Sequence, residues 1–255
     1  IDKPTMQFVN PLLKRKAFIW WNFPVSDYVR DRLLLGAVYG NGTDIDDDIS
    51  AFISNPMEHA EASKIALFSI ADYAWNMDAY KSDASWRRAV RYLMPGHAAA
   101  LQVFASHNSD LGGNEHDFRR EESEQIRPAL ERLLDAYCRE GKREVAAASA
   151  VTEECERMIA SADLLLASDE NPALIKEISP WLIQFKLLGE YGREVLCMLA
   201  AQCDGKKTEL EKAASHAKAL QVLMKKIDAT YNQNGFQPGV KTGSCHLKPA
   251  FDRLY

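Results

Sequence analysis

The stretch KAFIWWNFPVSDY, residues 16–28, decides how the rest of the chain is interpreted. It begins as a continuous apolar run and closes in Asn-Phe-Pro, a pattern typical of a strand buried on both faces of a parallel sheet. The segment ISAFISNP, residues 49–56, repeats this pattern, and RLLLGAVYG, residues 32–40, predicts a third strand between them. Parallel strands need long crossovers, so we expect a helical turn over residues 26–36 and a polar connection over 41–48.

Residues 1–57 therefore read as short strands and loops, whereas almost everything from residue 58 onward follows a helical repeat. Asn171-Pro172 predicts the start of a long helix, because Asn is a good N-cap and Pro suits the first turn. Pro180 predicts a kink or a break in that helix. Residues 109–117 read as a loop, and the Gly- and Pro-rich tail as extended. The main predicted helices cover residues 58–75, 120–140, 146–168, 171–203 and 206–231.

Composition excludes several classes of function. The chain has 255 residues, of which 47% are hydrophobic and 26% charged, as in ordinary globular proteins. Its formal net charge of -5 argues against nucleic acid as the main partner, because nucleic-acid binding usually needs a basic face. No apolar stretch approaches the ~20 residues that span a bilayer. Neither the five cysteines nor the six histidines show metal-ligand spacing, so no metal or other cofactor is predicted.

Polar and aromatic side chains gather where the predicted strands end. Asn22, Asp27 and Asn55 lie at or just past these ends, where active-site groups collect in parallel α/β barrels. Trp20 and Trp21 must point to opposite sides of their strand. An aromatic face beside carboxylate and amide groups suits a sugar, although a strand that ends in Asn-Phe-Pro is more often only a structural turn. The residues alone leave both interpretations open.

Three segments carry a resemblance to a known family. IWWNFPVSDY (19–28), LLLGAVYG (33–40) and NPMEHAEASKIALFSIADYAWN (55–76) resemble the C-terminal end of the catalytic barrel of the retaining β-N-acetylglucosaminidases. This family includes the O-GlcNAcases, and its bacterial members were formerly called hyaluronidases. The resemblance is strong over residues 10–95, and the helical remainder is similar to the bundle domain of the family.

The resemblance implies a mixed fold, in which the C-terminal remnant of a (β/α)8 TIM-type barrel is followed by an all-α helical bundle. The few apolar strands predicted before the helical part favour the same conclusion. Parallel strands belong to sheets that are covered on both faces, and the chain does not supply enough neighbouring strands to complete one. The expected divisions are residues 1–95 for the last strands and helices of a truncated barrel, 96–231 for the bundle and 232–255 for an extended tail or linker.

The resemblance also implies a mechanism, in which the 2-acetamido group of the substrate attacks the anomeric carbon and an Asp-Asp pair assists. That pair belongs to an earlier barrel strand, so we expect it upstream of this chain and expect the fragment alone to be inactive. The acidic run DIDDD, residues 44–48, is interpreted instead as a solvated turn or helix start. No catalytic residue is assigned within the chain.

What the resemblance assigns to this chain is part of a sugar pocket. Asp27 resembles the carboxylate that binds the 4- and 6-hydroxyls, and Asn55 the amide on the same edge of the sugar. Asn22 matches a pocket asparagine near the acetamido group or the catalytic pair. Trp20 resembles the wall of the acetamido pocket, and Tyr28 is a packing neighbour.

The predicted function is thus that of an exo-β-N-acetylglucosaminidase, an O-GlcNAcase-like glycoside hydrolase. Its expected substrates are glycans or glycoproteins that carry N-acetylglucosamine, and the whole protein is expected to be periplasmic or secreted. A non-catalytic bundle that mediates protein interaction or homodimer formation is the alternative. Endo-acting hyaluronidase activity is a third hypothesis, but a pocket that encloses the 4- and 6-hydroxyls favours exo action.

Overall fold

The computed structural model describes residues 1–109 and 120–255. Within these residues, a short parallel sheet and its covering helices precede a set of longer helices. The strands are β1 (Ala17–Trp21) and β2 (Ile49–Ser54). The helices are α1 (Lys3–Leu13), α2 (Ala60–Trp75), α3 (Ser82–Leu93), α4 (Ala98–Ser106), α5 (Arg127–Glu140), α6 (Val145–Leu166), α7 (Pro172–Cys203), α8 (Lys207–Asp228) and α9 (Leu247–Leu254).

The two strands pair in parallel, with Trp20 opposite Ile53. This confirms two of the three predicted strands and their relative direction. Trp21 packs beneath the sheet, where its ring centroid lies 5.6 Å from that of Phe52 and 6.1 Å from that of Tyr73 on α2. Trp20 points to the opposite side and is 66% exposed. The two tryptophans therefore alternate as their positions along the strand predicted.

The third predicted strand, residues 32–40, is wrong. Leu34 and Leu35 are completely buried, but their segment forms no strand. Its backbone N–H groups find other partners: that of Leu35 donates to the carbonyl oxygen of Asn108 at 2.7 Å, and that of Val38 to Ser69 Oγ at 3.0 Å. A continuous apolar run here indicates burial of an irregular segment whose hydrogen bonds are satisfied by a loop and a side chain.

The description of residues 1–57 as strands and loops also missed a helix. Helix α1 begins after Asp2, whose side chain accepts the N–H of Thr5 at 2.9 Å, and Pro4 lies in its first turn. The acidic run forms the predicted turn: Asp46–Asp48 are a short 3-10 helix, in which Asp46 and Asp47 are exposed and Asp48 is partly buried. The N-cap and the early proline explain why a helix forms here.

The predicted bundle helices are confirmed in α5 to α8, although α5 begins at Arg127 and not at the predicted residue 120. Helix α7 begins where expected, since Asn171 Oδ1 accepts the N–H of Leu174 at 3.1 Å and Pro172 follows. It continues through Pro180 to Cys203 as a single helix, so the predicted break at Pro180 is wrong. Helix α7 lies between α6 and α8 and supplies the centre of the bundle core.

The end of the chain differs from the predicted extended tail. Residues 232–246 are irregular, but Leu247–Leu254 form α9, which packs against α5 and α7. Phe251 is completely buried, and Gly192 of α7 leaves room for its ring. The tail therefore belongs to the core of the bundle, and the composition rich in Gly and Pro describes only its first part. The predicted domain boundaries stay predictions.

Two clusters of buried residues make up the core. One lies beneath the sheet, and the other extends from the segment after β1 through the bundle to Leu254. Helix α2 contributes to both, because Ile65 belongs to the bundle cluster and Ile70 to the sheet cluster. The predicted loop at residues 109–117 lies, apart from Ser109, outside the described residues.

Candidate functional site

The carboxyl ends of β1 and β2 bring three of the four predicted site residues together. Asn22 Oδ1 accepts hydrogen bonds from Trp20 Nε1 at 2.8 Å and from Asn55 Nδ2 at 3.3 Å. The backbone N–H of Asn55 donates to the carbonyl oxygen of Trp21 at 3.0 Å, which extends the strand pairing to the site. Parallel pairing thus places the two asparagines side by side, as neighbouring strand ends require.

The fourth residue, Asp27, lies in the same loop but outside this hydrogen-bonded group. It is exposed, and it follows a turn that contains the cis peptide bond Phe23-Pro24. The carbonyl oxygen of Phe23 accepts a hydrogen bond from Ser54 Oγ at 2.7 Å, so β2 also holds the start of this loop. Trp20, Asn22 and Asp27 are exposed and Asn55 is partly buried, so these side chains are open to solvent.

The loop that carries Asp27 is fixed from the bundle and from the tail. Trp181 Nε1 of α7 donates to the carbonyl oxygen of Asp31 at 3.0 Å. The buried Asp31 carboxylate pairs with Lys241 Nζ at 2.6 Å, and Gln237 accepts the N–H of Arg30 at 2.8 Å. Sequence analysis missed these supporting residues. The only signal was the amide-rich segment NQNGFQPG (232–239), whose side chains can bond to a backbone.

The bundle also fixes the helix that follows Asn55. Glu177 of α7 accepts the backbone N–H groups of Ala62 at 2.7 Å and Glu61 at 3.3 Å, so its carboxylate caps the first turn of α2. His59, just before that turn, packs edge-on against Trp181 with ring centroids 4.9 Å apart. Burial lowers the pKa of His59 and favours a neutral imidazole. Helix α7 therefore holds the segments that follow both strands.

The chemistry available at this surface is that of binding. Trp20 presents an apolar ring, Asn22 and Asn55 present amides, and Asp27 presents a carboxylate. These are the groups that recognise a hydroxylated ring, in which one face is apolar and the edge is polar. The acidic run at residues 44–48 does not add a second carboxylate, because it is paired with Lys3 and Lys16 at the opposite, amino ends of the strands.

Over residues 1–109 and 120–255, no cluster of three or more histidine, cysteine, aspartate or glutamate side chains is arranged to hold a metal ion. The same residues contain no helix that is both long and apolar enough to cross a bilayer.

Both halves of the chain match described families. Residues 1–106 match the β-N-acetylglucosaminidase family, and residues 122–255 match the family described as the post-catalytic domain of bacterial GH84. The Protein O-GlcNAcases of Rattus norvegicus and Mus musculus are each 30% identical over 84 residues, which is 32% of this chain and 9% of theirs. The chain thus spans a small part of these relatives.

Solved structures agree in fold over the whole chain. CpGH84B superposes with a TM-score of 0.88 at 24% identity, and CpGH84D with 0.82 at 28% identity; each comparison covers 100% of this chain and 42% of the other. A mutant of the Thermobaculum terrenum O-GlcNAc hydrolase gives 0.77 at 20% identity and is 51% covered. The predicted fold class is confirmed: elements of a catalytic barrel are followed by a helical bundle.

Proposed function

This chain belongs to the bacterial GH84 glycoside hydrolases of the O-GlcNAcase type, and we propose that it supplies one part of the sugar site of an exo-β-N-acetylglucosaminidase. The substrates of the whole enzyme are glycans or glycoproteins that end in N-acetylglucosamine. The O-GlcNAcase names of its relatives support this class of substrate.

The observation that carries the proposal is the hydrogen-bonded group of Trp20, Asn22 and Asn55 at the ends of two parallel strands. Asn22 accepts from both neighbours, so one oxygen fixes the plane of the indole and the amide of Asn55. Side chains that are held before the ligand arrives cost less entropy on binding. The exposed ring of Trp20 then lies against the acetamido group, and Asn22 and Asn55 face polar edges of the sugar.

Asp27 binds the 4- and 6-hydroxyls in this proposal. Its carboxylate accepts a hydrogen bond from each hydroxyl, and bonds to a charged group contribute roughly 1.5–3 kcal/mol each. A terminal sugar has a free 4-hydroxyl, whereas an internal, 4-linked sugar does not. Recognition of both hydroxyls therefore favours a terminal sugar over an internal, 4-linked one.

The reaction is proposed to be assisted by the substrate. The carbonyl oxygen of the 2-acetamido group attacks the anomeric carbon, while one carboxylate accepts the acetamido proton and another protonates the leaving oxygen. We assign that acid pair to a part of the enzyme outside this chain. Two observations support this: the acidic run is solvated at the wrong end of the strands, and Phe18, Trp20 and Ile53 leave an apolar sheet face exposed.

The test uses a fluorogenic β-N-acetylglucosaminide with the chain alone, the complete enzyme and the complete enzyme carrying Asp27→Asn. We expect no turnover by the chain alone. In the complete enzyme the amide keeps one acceptor but loses the charge, so kcat/KM should fall by about 10- to 100-fold. Asp47→Asn is the matched control, because Asp47 is 98% exposed and lies at the opposite ends of the strands.

Two outcomes would contradict the proposal. Kinetics of Asp27→Asn like those of the control would remove Asp27 from the sugar site. Turnover by the chain alone, at a rate comparable to that of the complete enzyme, would show that the acid pair lies within these 255 residues.

A further inference from the structure

We propose that Gln237 is a positioning residue for the sugar site, because it holds the loop of Asp27 in the conformation that binds the 4- and 6-hydroxyls. The inference rests on the proposed function, in which Asp27 makes that contact. Gln237 lies 207 positions after Arg30 in the sequence, in a tail without a barrel element. It links the last part of the chain to the site.

The side-chain amide of Gln237 makes two hydrogen bonds to the loop backbone. Its Oε1 accepts the N–H of Arg30 at 2.8 Å, and its Nε2 donates to the carbonyl oxygen of Tyr28. A single amide thus spans the backbone on both sides of Val29, much as a neighbouring strand would. Tyr28 follows Asp27 directly, so this contact fixes the Tyr28–Val29 peptide unit, one peptide beyond the residue that carries the sugar-binding carboxylate.

The tail is built to present this amide. Asn234 Oδ1 accepts the backbone N–H of Gln237 at 2.7 Å and that of Phe236 at 3.0 Å, and its Nδ2 donates to the carbonyl oxygen of Gln237 at 2.8 Å. Asn232 Nδ2 donates to the carbonyl oxygen of Arg30 at 2.7 Å. The tail therefore holds both backbone polar groups of Arg30, one of them through Gln237.

The bonds to the tail add to those that the loop makes with its own backbone. Its own turns are closed by the N–H of Val29 on the carbonyl oxygen of Ser26 at 2.9 Å and by the N–H of Arg32 on that of Val29 at 3.0 Å. These bonds leave the carbonyl oxygen of Tyr28 and the N–H of Arg30 to the tail. A side chain that must meet two hydroxyls at once needs placement within ~0.5 Å, which a loop achieves only through such partners.

Removal of Gln237 should loosen this stretch without unfolding the domain. Asp31, just beyond it, keeps its bonds to Trp181 and Lys241. Val29 also remains in the bundle core. The expected consequence is weaker substrate binding, which distinguishes positioning from a general loss of stability.

The experiment measures the complete enzyme with Gln237→Ala and with Gln233→Ala. Gln233 is the matched control, because it is in the same tail and also donates to two carbonyl oxygens, those of Asp228 and Tyr231, but does not touch the loop. We expect Gln237→Ala to raise KM about tenfold with kcat changed less than twofold, because it removes two hydrogen bonds from the loop. Gln233→Ala should stay within twofold of the parent.

A double-mutant cycle with Asp27→Ala identifies the route of the effect. If Gln237 acts through Asp27, then Gln237→Ala should cost nothing further once Asp27 is removed, and its effect should vanish on a 4,6-dideoxy substrate. Independent, additive losses would overturn the inference and leave the proposed function intact. Parent-like kinetics of Asp27→Ala would instead overturn the proposed site itself.

A second variant keeps the test decisive if Gln237→Ala does not fold. Gln237→Glu retains an acceptor for the N–H of Arg30 and loses the donor to Tyr28. It should raise KM at least as much as Gln237→Ala, because a carboxylate oxygen would replace the N–H donor that faces the carbonyl oxygen of Tyr28. A Gln237→Glu enzyme with parent KM on the full substrate would refute the positioning role of the donor bond.

Discussion

Asn22 is the residue on which the organisation of the sugar site depends most directly. Its Oδ1 atom accepts from the indole of Trp20 and the amide of Asn55, so one substitution releases two side chains that the ligand needs in fixed orientations. Asn22→Ala deletes this acceptor without touching the strands, whose backbone bonds continue to Asn55 through Trp21.

The size of the effect follows from these two bonds. A neutral hydrogen bond contributes about 0.5–1.5 kcal/mol, and both of these are solvent-accessible, so the lower half of the range applies to each. The sum is about 1–2 kcal/mol, which corresponds to a decrease of roughly 5- to 30-fold in kcat/KM of the complete enzyme. Asn22→Asp keeps an acceptor for both donors, and should therefore be less impaired than Asn22→Ala.

The assay is steady-state hydrolysis of a chromogenic β-N-acetylglucosaminide, with unfolding by urea as a measure of stability. Asn76→Ala is the matched control, because Asn76 is an exposed asparagine that accepts a backbone N–H at the end of α2, away from the strand ends. If Asn22→Asp were no more active than Asn22→Ala, or if Asn22→Ala matched the control, the reasoning about a shared acceptor would be refuted.

Two further predictions concern the stability of the bundle. A Cβ at Gly192 would clash with the ring of Phe251 and lie 2.8 Å from Cys155 Sγ. Gly192→Ala should therefore lower the free energy of unfolding by about 1–2 kcal/mol, although Ala has the better helix propensity. An unchanged midpoint in urea unfolding would contradict this prediction. Burial raises the pKa of Glu122 from 4.5 to about 7, so the free energy of unfolding should fall by about 3 kcal/mol between pH 4.5 and 7 through this group. Glu122→Gln should remove this part of the pH dependence of the free energy of unfolding. An equally steep pH dependence in the variant would contradict the prediction.

Local signals predicted the elements in which pattern and packing agree. The runs around Trp20 and Phe52 form parallel strands whose one face packs on α2, while the apolar side chains of the other face stay exposed. Asn171 marked the start of α7 because its cap bond involves residues only three positions away. The site residues on strand ends could be placed together for the same reason, since parallel pairing brings the ends to one edge.

The errors arose where distant contacts decided the local conformation. The run at residues 32–40 is as apolar as a strand, but its partners are a loop and a serine from elsewhere in the chain. Helix α1 does carry local signals, with Asp2 as N-cap and a proline in its first turn. Gln237 could not be recognised, because nothing near it in sequence shows that its amide meets a loop 207 positions earlier.

The hydrogen bonds between the tail and the loop after β1 limit how chimeras of related enzymes can be built. A hybrid joined near residue 95 would combine the loop of one parent with the tail of another. The bonds made by Gln237 and Lys241 would then have to form across unmatched sequences, and the Asp31 carboxylate would be buried without its cation. The two regions are therefore expected to function after recombination only when they are transferred as a pair, although they lie at opposite ends of the sequence.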